Sequence, residues 1–283
     1  MDKAAERVTR GRKAAKRPDA PLRHASLFNS SLEKGVSVLQ AFDDGRPHLT
    51  LTQIAAVTGL EKSAAQRFTA TLVTLGFLNK DPATRQYSLT SRVLQLGASY
   101  LRNHVLLERA TPYLMEWNSQ HGEAVNLAEL EGTDVIFLAR YRSRFVVNPN
   151  IVIGSKFSWY ISALGQAMVA YKTPDERKRI LDATKPVSYA SKTLLTRDDL
   201  ERRIAEVRKN RFALTYKESF ETEISIAAPV FGPTGAVIAA VGTAANATQS
   251  SVEQAKERLA PAIQELARAV SSSSQAMRAE ASL

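Results

Sequence analysis

The sequence contains no cysteine, and none of its apolar runs approaches the ~20 residues that a membrane-spanning helix requires. The lack of cysteine excludes disulfide bonds and thiolate metal sites. The N-terminus is basic, but no apolar segment follows it, so it does not resemble a secretory signal. These absences predict a cytoplasmic protein with no membrane partner.

Motifs typical of enzymes are also missing. The sequence has no glycine-rich dinucleotide fingerprint, no phosphate-binding loop and no Gly-x-Ser-x-Gly elbow. Its four histidines follow no metal-binding or catalytic-triad pattern; they are His24, His48, His104 and His121. A cluster of Glu218, Glu221 and Glu223 could serve acid–base chemistry, but a solvated loop is the favoured interpretation. The sequence therefore predicts no enzyme activity, no cofactor and no metal.

Positive charge is concentrated at the N-terminus. The net charge is +10, and residues 1–25 contribute half of it through eight basic and three acidic side chains. Such a tail suits a polyanion, either DNA or an anionic membrane surface. A solvated extension without any partner explains the composition equally well. We expect residues 1–25 to be disordered and, if they contact DNA, to strengthen binding to all sequences.

The next segment predicts a winged helix-turn-helix. Helical periodicity is present at Ser31–Phe42, Thr50–Thr58 and Lys62–Leu75, and a Gly59-Leu60 break separates the last two. Either Thr50 or the next threonine, Thr52, suits the N-cap of the second helix. Two short strands around an Asp-Pro turn follow within 77–89.

The third helix has the two faces that docking in a DNA groove requires. Ala65, Phe68, Thr69 and Leu72 share the face predicted to be buried. The opposite face is small and polar, and consists of Ser63, Gln66, Arg67, Ala70 and Thr71. An ordinary amphipathic surface helix would show the same pattern, but the flanking helix, turn and hairpin favour DNA binding.

Specific contacts to double-stranded operator DNA follow from these positions. We expect Lys62 and Arg85 to contact phosphates, and Gln66 and Arg67 to contact adenine and guanine edges. The remaining candidates flank them; they are Thr52, Ser63, Ala64, Thr71 and Gln86.

The second half alternates between strand and helix patterns. Helices are predicted at Val93–Gly122 (with Pro112 breaking it or starting a new helix), Ser162–Tyr171, Pro174–Thr184, Arg197–Asn210 and Ser251–Val270. Strands are predicted at Val125–Leu130, Val135–Val147, Ile151–Ile153, Phe212–Tyr216, Ile224–Phe231 and Val237–Thr243. This order predicts an α+β domain around an antiparallel sheet.

Several segments together resemble the IclR family of bacterial transcriptional regulators, and most closely its branch that controls catabolism of aromatic and other organic acids. They are SLEKGVSVLQAF, LTLTQIAAVTGLEKSAAQRFTATLVTLGFL, YSLTSRVLQLG, FSWYISALGQAMVA and GPTGAVIAAV. The resemblance implies a winged helix-turn-helix at 26–92, a linker helix at 93–110 and a GAF-like effector-binding domain at 111–272, between tails at 1–25 and 273–283. It also implies a homodimer or homotetramer on a pseudo-palindromic operator.

The same resemblance implies a pocket for a small organic-acid effector. A histidine typical of the family is replaced by Tyr160. Family members often hold a small carboxylate with polar side chains at four further positions, and the residues that match them here are Thr215, Ser225, Gly242 and Ala244. We therefore expect an apolar pocket with few polar anchors and an aromatic or longer-chain acid. The other candidates are Ser162, Ala163 and Leu164, where backbone N–H groups at a helix start would hold a carboxylate.

Two alternatives stay open at this point. Arg140, Arg142 and Arg144 alternate along one predicted strand and are either charge anchors for the effector or, as we favour, solvated surface residues. The protein could also bind DNA without any ligand, although so large an α+β domain is unnecessary for that role.

Overall fold

The computed structural model describes residues 27–143, 151–187 and 195–275. One compact unit ends at Tyr100 and a second begins at Leu101. The predicted basic tail at 1–25, Arg144 and the last eight residues lie outside the described residues.

The first unit contains three helices, a short hairpin and most of a fourth helix, which ends two residues after Tyr100. They are α1 (Ser30–Leu39), α2 (Leu51–Thr58), α3 (Lys62–Thr74), β1 (Leu78–Lys80), β2 (Tyr87–Leu89) and α4 (Arg92–Arg102). Strands β1 and β2 pair antiparallel, and Leu49 adds a bridge to Tyr87 just before α2 begins. This order and pairing confirm the predicted winged helix-turn-helix.

Local signals set the ends of α2. The Gln53 backbone N–H donates to the Thr50 hydroxyl, and the Thr50 N–H donates to Gln53 Oε1 at 2.8 Å. This reciprocal capping box satisfies two backbone donors at the helix start. Gly59 ends the helix at φ 70°, a conformation that glycine adopts without the steric cost other residues meet. Thr50 is thus the N-cap of α2, which decides between the two candidates from the sequence, Thr50 and Thr52.

A small apolar core holds the first unit together. Ile54 of α2 and Val38 of α1 are fully buried, and Ala65 and Leu72 of α3 pack into the same cluster. Tyr87 joins it from the hairpin. The hairpin is therefore anchored to the helices by its own side chains.

The second unit is a six-stranded sheet with helices on both faces. Its strands are β3 (Ala124–Glu131), β4 (Asp134–Tyr141), β5 (Lys156–Ser158), β6 (Ala213–Tyr216), β7 (Glu223–Phe231) and β8 (Val237–Asn246). Its helices are α5 (Val105–His121), α6 (Ala163–Ala170), α7 (Pro174–Ala183), α8 (Arg197–Asn210) and α9 (Val252–Gln275), with a 3-10 turn at Trp159–Ile161. The strand order is β5-β4-β3-β8-β7-β6, and all neighbours are antiparallel. This topology confirms the predicted α+β class.

Alternation along the central strands divides the interior into two layers. Ile224, Ile226 and Ala228 of β7 face α5 and α9. Ala227 belongs to the opposite layer, which α6 and α8 cover. The polar residues Glu223 and Ser225 share the parity of Ala227, so the α6 layer is where the sheet presents polar groups.

Several predicted boundaries are wrong. The helical stretch Val93–Gly122 is interrupted after Arg102, where His104 adopts an extended conformation and accepts the Leu107 N–H on Nδ1 at 3.2 Å. Helix α5 continues through Pro112 instead of breaking there. The break lies at His104 because its side chain caps the new helix.

Two further corrections concern β4 and β5. Residues Ile151–Ile153 are not a strand; they lead into a turn at Gly154, whose φ is 86°, and β5 forms only at Lys156–Ser158. Strand β4 ends at Tyr141, so Arg142 does not continue the alternation of Arg140. At the C-terminus α9 runs to Gln275, and the predicted tail from 273 begins too early.

Within the described ranges, no helix is long and apolar enough to cross a membrane. The same residues contain no cluster of three or more acidic or histidine side chains that could hold a metal ion.

Candidate functional site

Helix α3 exposes the polar strip that the sequence predicts. Its members all lie on the solvent side of the helix; they are Ser63, Gln66, Arg67, Ala70 and Thr71. Ala65, Thr69 and Leu72 are buried on the other side, and Phe68 is half-buried. The predicted two-faced helix is therefore confirmed.

Hydrogen bonds within α3 determine what this strip offers a partner. The Thr71 hydroxyl donates to the Arg67 carbonyl at 3.0 Å, so its hydrogen is already used and its oxygen can act only as an acceptor toward a partner. In the described part of the chain, the side chains of Gln66 and Arg67 make no hydrogen bond. Their amide and guanidinium groups thus remain available for base edges.

Exposed cations flank α3. Lys62 lies at the first position of the helix, and Arg85 lies at the hairpin tip with φ 57°. The tip is ordered by Asp81, whose carboxylate accepts the Ala83 backbone N–H at 2.7 Å. Sequence reasoning missed Lys80, which stands on β1 with its ammonium 5.5 Å from the Tyr87 ring centroid. The sequence could have indicated Lys80 as a candidate DNA contact, because it is a basic residue in a short strand directly before the hairpin turn.

The other predicted DNA contacts lie on the same elements. Thr52 is exposed on α2, whereas Ala64 on α3 and Gln86 beside the hairpin tip are half-buried.

The second unit contains a cavity between its sheet and the start of α6. The space open to the centre of a water-sized sphere is about 40 Å³, whereas the gaps between the surrounding atoms together with the open mouth amount to about 510 Å³. Its walls come from five of the six strands (all but β6), from the segment leading into α6 and from the segment before β7.

Six of the eight predicted effector residues line this cavity, and two do not. The lining ones are Ser162, Ala163, Leu164, Ser225, Gly242 and Ala244. Tyr160 is buried in the 3-10 turn, where its hydroxyl accepts the Val187 backbone N–H at 2.9 Å. Thr215 lies on edge strand β6, opposite Ser225, and outside the lining. Contrary to the prediction, neither Tyr160 nor Thr215 forms part of the cavity wall.

The cavity exists because the sheet beneath it carries very small residues. Ala124, Ala227, Gly242 and Ala244 lie on three adjacent strands. A Cβ atom added at Gly242 would come within 2.9 Å of Leu164 Cδ2 and 3.1 Å of the Ile226 carbonyl oxygen. A larger residue here would therefore force Leu164 to shift and would lie tightly against the Ile226 backbone, so glycine suits the place where α6 approaches the sheet.

Asn126, which the sequence did not identify, and Arg140, which it left as one of two alternatives, also line the cavity. Arg140 Nη1 donates to Asn126 Oδ1 at 3.0 Å, and these residues face each other across β3 and β4. Asn126 Nδ2 in turn donates to the Gly242 carbonyl at 3.4 Å. The pocket is therefore less apolar than predicted, and Arg140 is a cavity residue and not the solvated surface residue we favoured. The pairing of Arg140 with Asn126 depends on the register between β3 and β4, which the sequence of one strand does not reveal.

Glu223 is a second charged cavity residue. Its side chain is buried, and the Ser225 hydroxyl donates to its carboxylate. Burial lowers the pKa of the Arg140 guanidinium, and the negative charge of Glu223 opposes that shift. The predicted solvated loop is therefore wrong for Glu223, although Glu221 is exposed.

Glu218 also contradicts the solvated-loop prediction. Its side chain is only 11% exposed and pairs with Arg203 at 2.5 Å. Burial raises the pKa of this carboxyl, and the ion pair with Arg203 opposes the rise. The segment before β7 folds inward because Phe220, which lies between Glu218 and Glu223, packs into the core.

Three phenyl rings complete the cavity wall. Phe137 and Phe157 meet edge to face with ring centroids 5.7 Å apart, and Phe157 meets Phe220 in the same way at 5.9 Å. All three line the cavity. Edge-to-face pairs of this kind hold aromatic walls in fixed orientations.

Comparison with known proteins gives consistent results for both units. Residues 31–82 match the IclR helix-turn-helix domain, and residues 98–272 match the family described as bacterial transcriptional regulator IclR C-terminal. The chain is 30% identical over 235 residues to the Pca regulon regulatory protein of Pseudomonas putida, covering 83% of this chain and 80% of that protein. It is 27% identical over 231 residues to the regulator KdgR of Escherichia coli K12, covering 82% and 88%.

Solved structures show the same fold. An IclR family transcriptional regulator from Brucella abortus aligns with a TM-score of 0.77 and 25% identity, covering 90% of this chain and 96% of that one. An IclR homolog from Microbacterium hydrocarbonoxydans, solved in complex with 4-hydroxybenzoate, aligns with a TM-score of 0.69 and 24% identity, covering 87% and 99%.

Proposed function

Because the chain belongs to the IclR family of bacterial transcriptional regulators, we propose that α3 and the β1–β2 hairpin bind double-stranded operator DNA under the control of a small organic acid. The proteins it matches are regulators and not enzymes. The observation that carries the proposal is the exposed strip of α3, on which the side chains of Gln66 and Arg67 make no hydrogen bond to any other described residue.

Base contacts and phosphate contacts have separate roles in this proposal. Gln66 and Arg67 read adenine and guanine edges, where a good bidentate contact contributes about 1–3 kcal/mol of discrimination. Lys62 and Arg85 bind phosphates and set affinity and salt dependence. The supporting contacts come from the positions around them; they are Thr52, Ser63, Ala64, Thr71 and Gln86.

The effector half of the proposal concerns the cavity in the second unit. We assign effector contacts to the six lining residues Ser162, Ala163, Leu164, Ser225, Gly242 and Ala244. The favoured effector is an aromatic or longer-chain organic acid, and the regulated genes form a catabolic operon. Similarity to the Pca regulon regulator and the 4-hydroxybenzoate complex of an IclR homolog support this choice.

We further propose that the protein acts as a homodimer or homotetramer on a pseudo-palindromic site in the bacterial cytoplasm. Helix α4 supports self-association, because Leu94, Leu96 and Tyr100 are 68%, 64% and 52% exposed. Leu32 on α1 is 67% exposed. Apolar side chains in such numbers are typical of interfaces. Sedimentation velocity of the purified protein measures the state directly.

A fluorescence-anisotropy titration tests DNA recognition. The purified full chain is titrated into a labelled duplex from the region upstream of its gene and into a scrambled duplex, at about 0.15 M salt. We expect specific binding in roughly the nanomolar range and a preference of at least about 1,000-fold over the scrambled duplex. Equal affinity for both duplexes contradicts the proposal.

A pair of arginine variants tests the assignment to α3. Arg67→Ala should weaken specific binding by about 1–3 kcal/mol, because a guanidinium–guanine contact is lost. Arg208→Ala removes the same charge from an exposed position on α8 and should leave the preference unchanged. Should both variants lose affinity equally, net charge and not base recognition explains binding.

Organic acids added to the complex test control by an effector. At least one acid should change the affinity for the upstream duplex. A protein that binds the duplex but responds to no acid fits the ligand-independent alternative instead.

A further inference from the structure

The end of α3 and the start of α4 meet at the base of the β1–β2 hairpin. Helix α3 ends in a Schellman motif, in which the Phe77 N–H donates to the Leu72 carbonyl at 2.9 Å. The Gly76 N–H donates to the Val73 carbonyl at the same distance, and Gly76 has the left-handed backbone that this motif needs, with φ 76°. The end of α3 is therefore a fixed turn that leads directly into β1.

Thr90 connects this helix end to α4. Its hydroxyl donates to the Gly76 carbonyl at 2.6 Å, and its N–H donates to the Phe77 carbonyl at 3.0 Å. The same hydroxyl oxygen accepts the N–H of Arg92, the first residue of α4, at 3.2 Å. One side chain thus satisfies a carbonyl after α3 and a backbone donor of α4. Because Gly76 and Thr90 are 14 positions apart, this contact joins two elements and is not a local turn.

Arg92 packs on the same helix end from the α4 side. Its guanidinium carbon lies 5.5 Å from the centroid of the Phe77 ring. A Cβ atom added at Gly76 would lie 3.2 Å from Arg92 Nη1, so the guanidinium packs directly against the Gly76 backbone. The partial negative charge of a helix C-terminus favours a cation at this place. We call these four residues, Gly76, Phe77, Thr90 and Arg92, the α3–α4 joint.

The joint connects two helices with different proposed roles. Helix α3 reads base edges, and α4 exposes Leu94, Leu96 and Tyr100, the side chains that support self-association. In two copies that associate through α4, the angle between α4 and α3 determines how far apart the two α3 helices lie. That distance must match the separation of the two half-sites, which is about one helical turn of DNA or a multiple of it.

We propose that Thr90 and Arg92 are positioning residues, which fix the direction of α3 relative to α4 and thereby the half-site spacing that the protein accepts. This inference rests on the proposed function and assigns spacing selectivity to residues outside the DNA-reading strip. Neither side chain has to touch a base, because both act on the backbone at the end of α3.

A duplex with altered spacing tests the proposal on the full chain. Footprinting locates the bound site in the upstream region, and two base pairs are inserted at its centre of symmetry. The insertion rotates one half-site by roughly 70° about the DNA axis. In fluorescence-anisotropy titrations, we expect the unaltered protein to bind the inserted duplex at least about 10-fold more weakly than the natural one. This ratio of affinities is the spacing penalty.

Matched threonine variants separate the joint from general stability. Thr90→Val removes the hydroxyl contacts on both sides, so it should weaken binding to the natural duplex and reduce the spacing penalty to roughly 3-fold or less. Thr90→Ser keeps the hydroxyl and should restore both values. The control is Thr58→Val, because the Thr58 hydroxyl also donates to a helix carbonyl, that of Ile54 at 2.7 Å, and accepts a backbone N–H, that of Leu60 at 3.4 Å. These contacts do not involve α4, so Thr58→Val should keep the full penalty.

Arg92→Lys tests the other half of the joint. It keeps the positive charge but loses the planar guanidinium that packs on Phe77. The variant should reduce the spacing penalty and leave the salt dependence of binding unchanged, whereas a simple phosphate contact would tolerate lysine without any change in the penalty. If Thr90→Val does not fold by circular dichroism, Thr90→Ser and Arg92→Lys together still decide the matter: an unchanged penalty in Arg92→Lys contradicts the proposal.

The outcomes separate this inference from the proposed function. An unaltered protein without a spacing penalty, or equal penalties in Thr90→Val and Thr58→Val, overturns the role of the joint and leaves a DNA-binding regulator in place. A protein that binds its site as a monomer in sedimentation velocity also overturns it, since no spacing remains to be set. Equal affinity for the upstream and scrambled duplexes overturns the proposed function itself, and the inference with it.

Discussion

Replacing Gly165 by alanine tests how closely α6 approaches the segment before it. A Cβ atom at Gly165 would lie 2.4 Å from Trp159 Cα and 2.5 Å from the Trp159 carbonyl oxygen. Both neighbours are backbone atoms, so no side chain can rotate away. To reach an ordinary carbon–carbon separation, α6 must move by roughly 1 Å.

The sign of the stability change distinguishes the close contact from a loose one. Alanine is favoured over glycine in a helix interior by about 1 kcal/mol. Overpacking of a rigid core costs typically about 1–3 kcal/mol and more where backbone must shift. We therefore expect Gly165→Ala to lower the free energy of unfolding by roughly 2 kcal/mol, which corresponds to a fall in Tm of about 4–8 °C in a unit of this size.

Urea unfolding followed by circular dichroism measures this change, with an unchanged m-value as the control for two-state behaviour. Because Ser162, Ala163 and Leu164 lead α6 into the cavity wall, the variant should also lose the effector response. It should keep DNA binding, since α3 belongs to the other unit. A variant as stable as the parent protein, or more stable, would refute the close approach of α6 to Trp159.

Two other substitutions give further tests. The buried Thr243 hydroxyl has no hydrogen-bond partner among the described residues. Because Thr243→Val removes this unsatisfied group, it should raise the free energy of unfolding by about 1 kcal/mol. A loss of stability in urea unfolding would mean that the hydroxyl is satisfied. Glu218→Gln tests the raised pKa of a buried carboxyl. The folded protein holds that proton more tightly, so the contribution of Glu218 is fully present below its ordinary pKa of 4.5 and is lost as the pH rises through the raised value. The melting temperature of the parent relative to Glu218→Gln should thus fall from acidic to neutral pH, whereas the exposed control Glu221→Gln should show no such trend.

The first unit was predictable because its determinants are local. The capping box at Thr50, the left-handed Gly59 and the two faces of α3 each depend on residues within one or two helical turns. Such signals can be read directly from the order of residues.

The cavity was predictable only in part because its polar groups come together across strands. Arg140 meets Asn126 through the β3–β4 register, which includes an irregularity between Leu127 and Ala128. A shift of one residue there would have turned Arg140 to the other face. Tyr160 was misplaced because similarity at one position does not reveal that its hydroxyl is held by Val187.

The sheet floor of Ala124, Ala227, Gly242 and Ala244 has a consequence for how such a protein can change. Ala124 and Ala244 take part in the sheet through their backbone pairing, which does not depend on the size of their side chains. Enlarging Ala124 or Ala244 by one or two carbons would shrink the space in small steps and shift selection toward shorter ligands. Point mutations on this floor can therefore change which ligands fit the cavity without touching the helix proposed to read DNA.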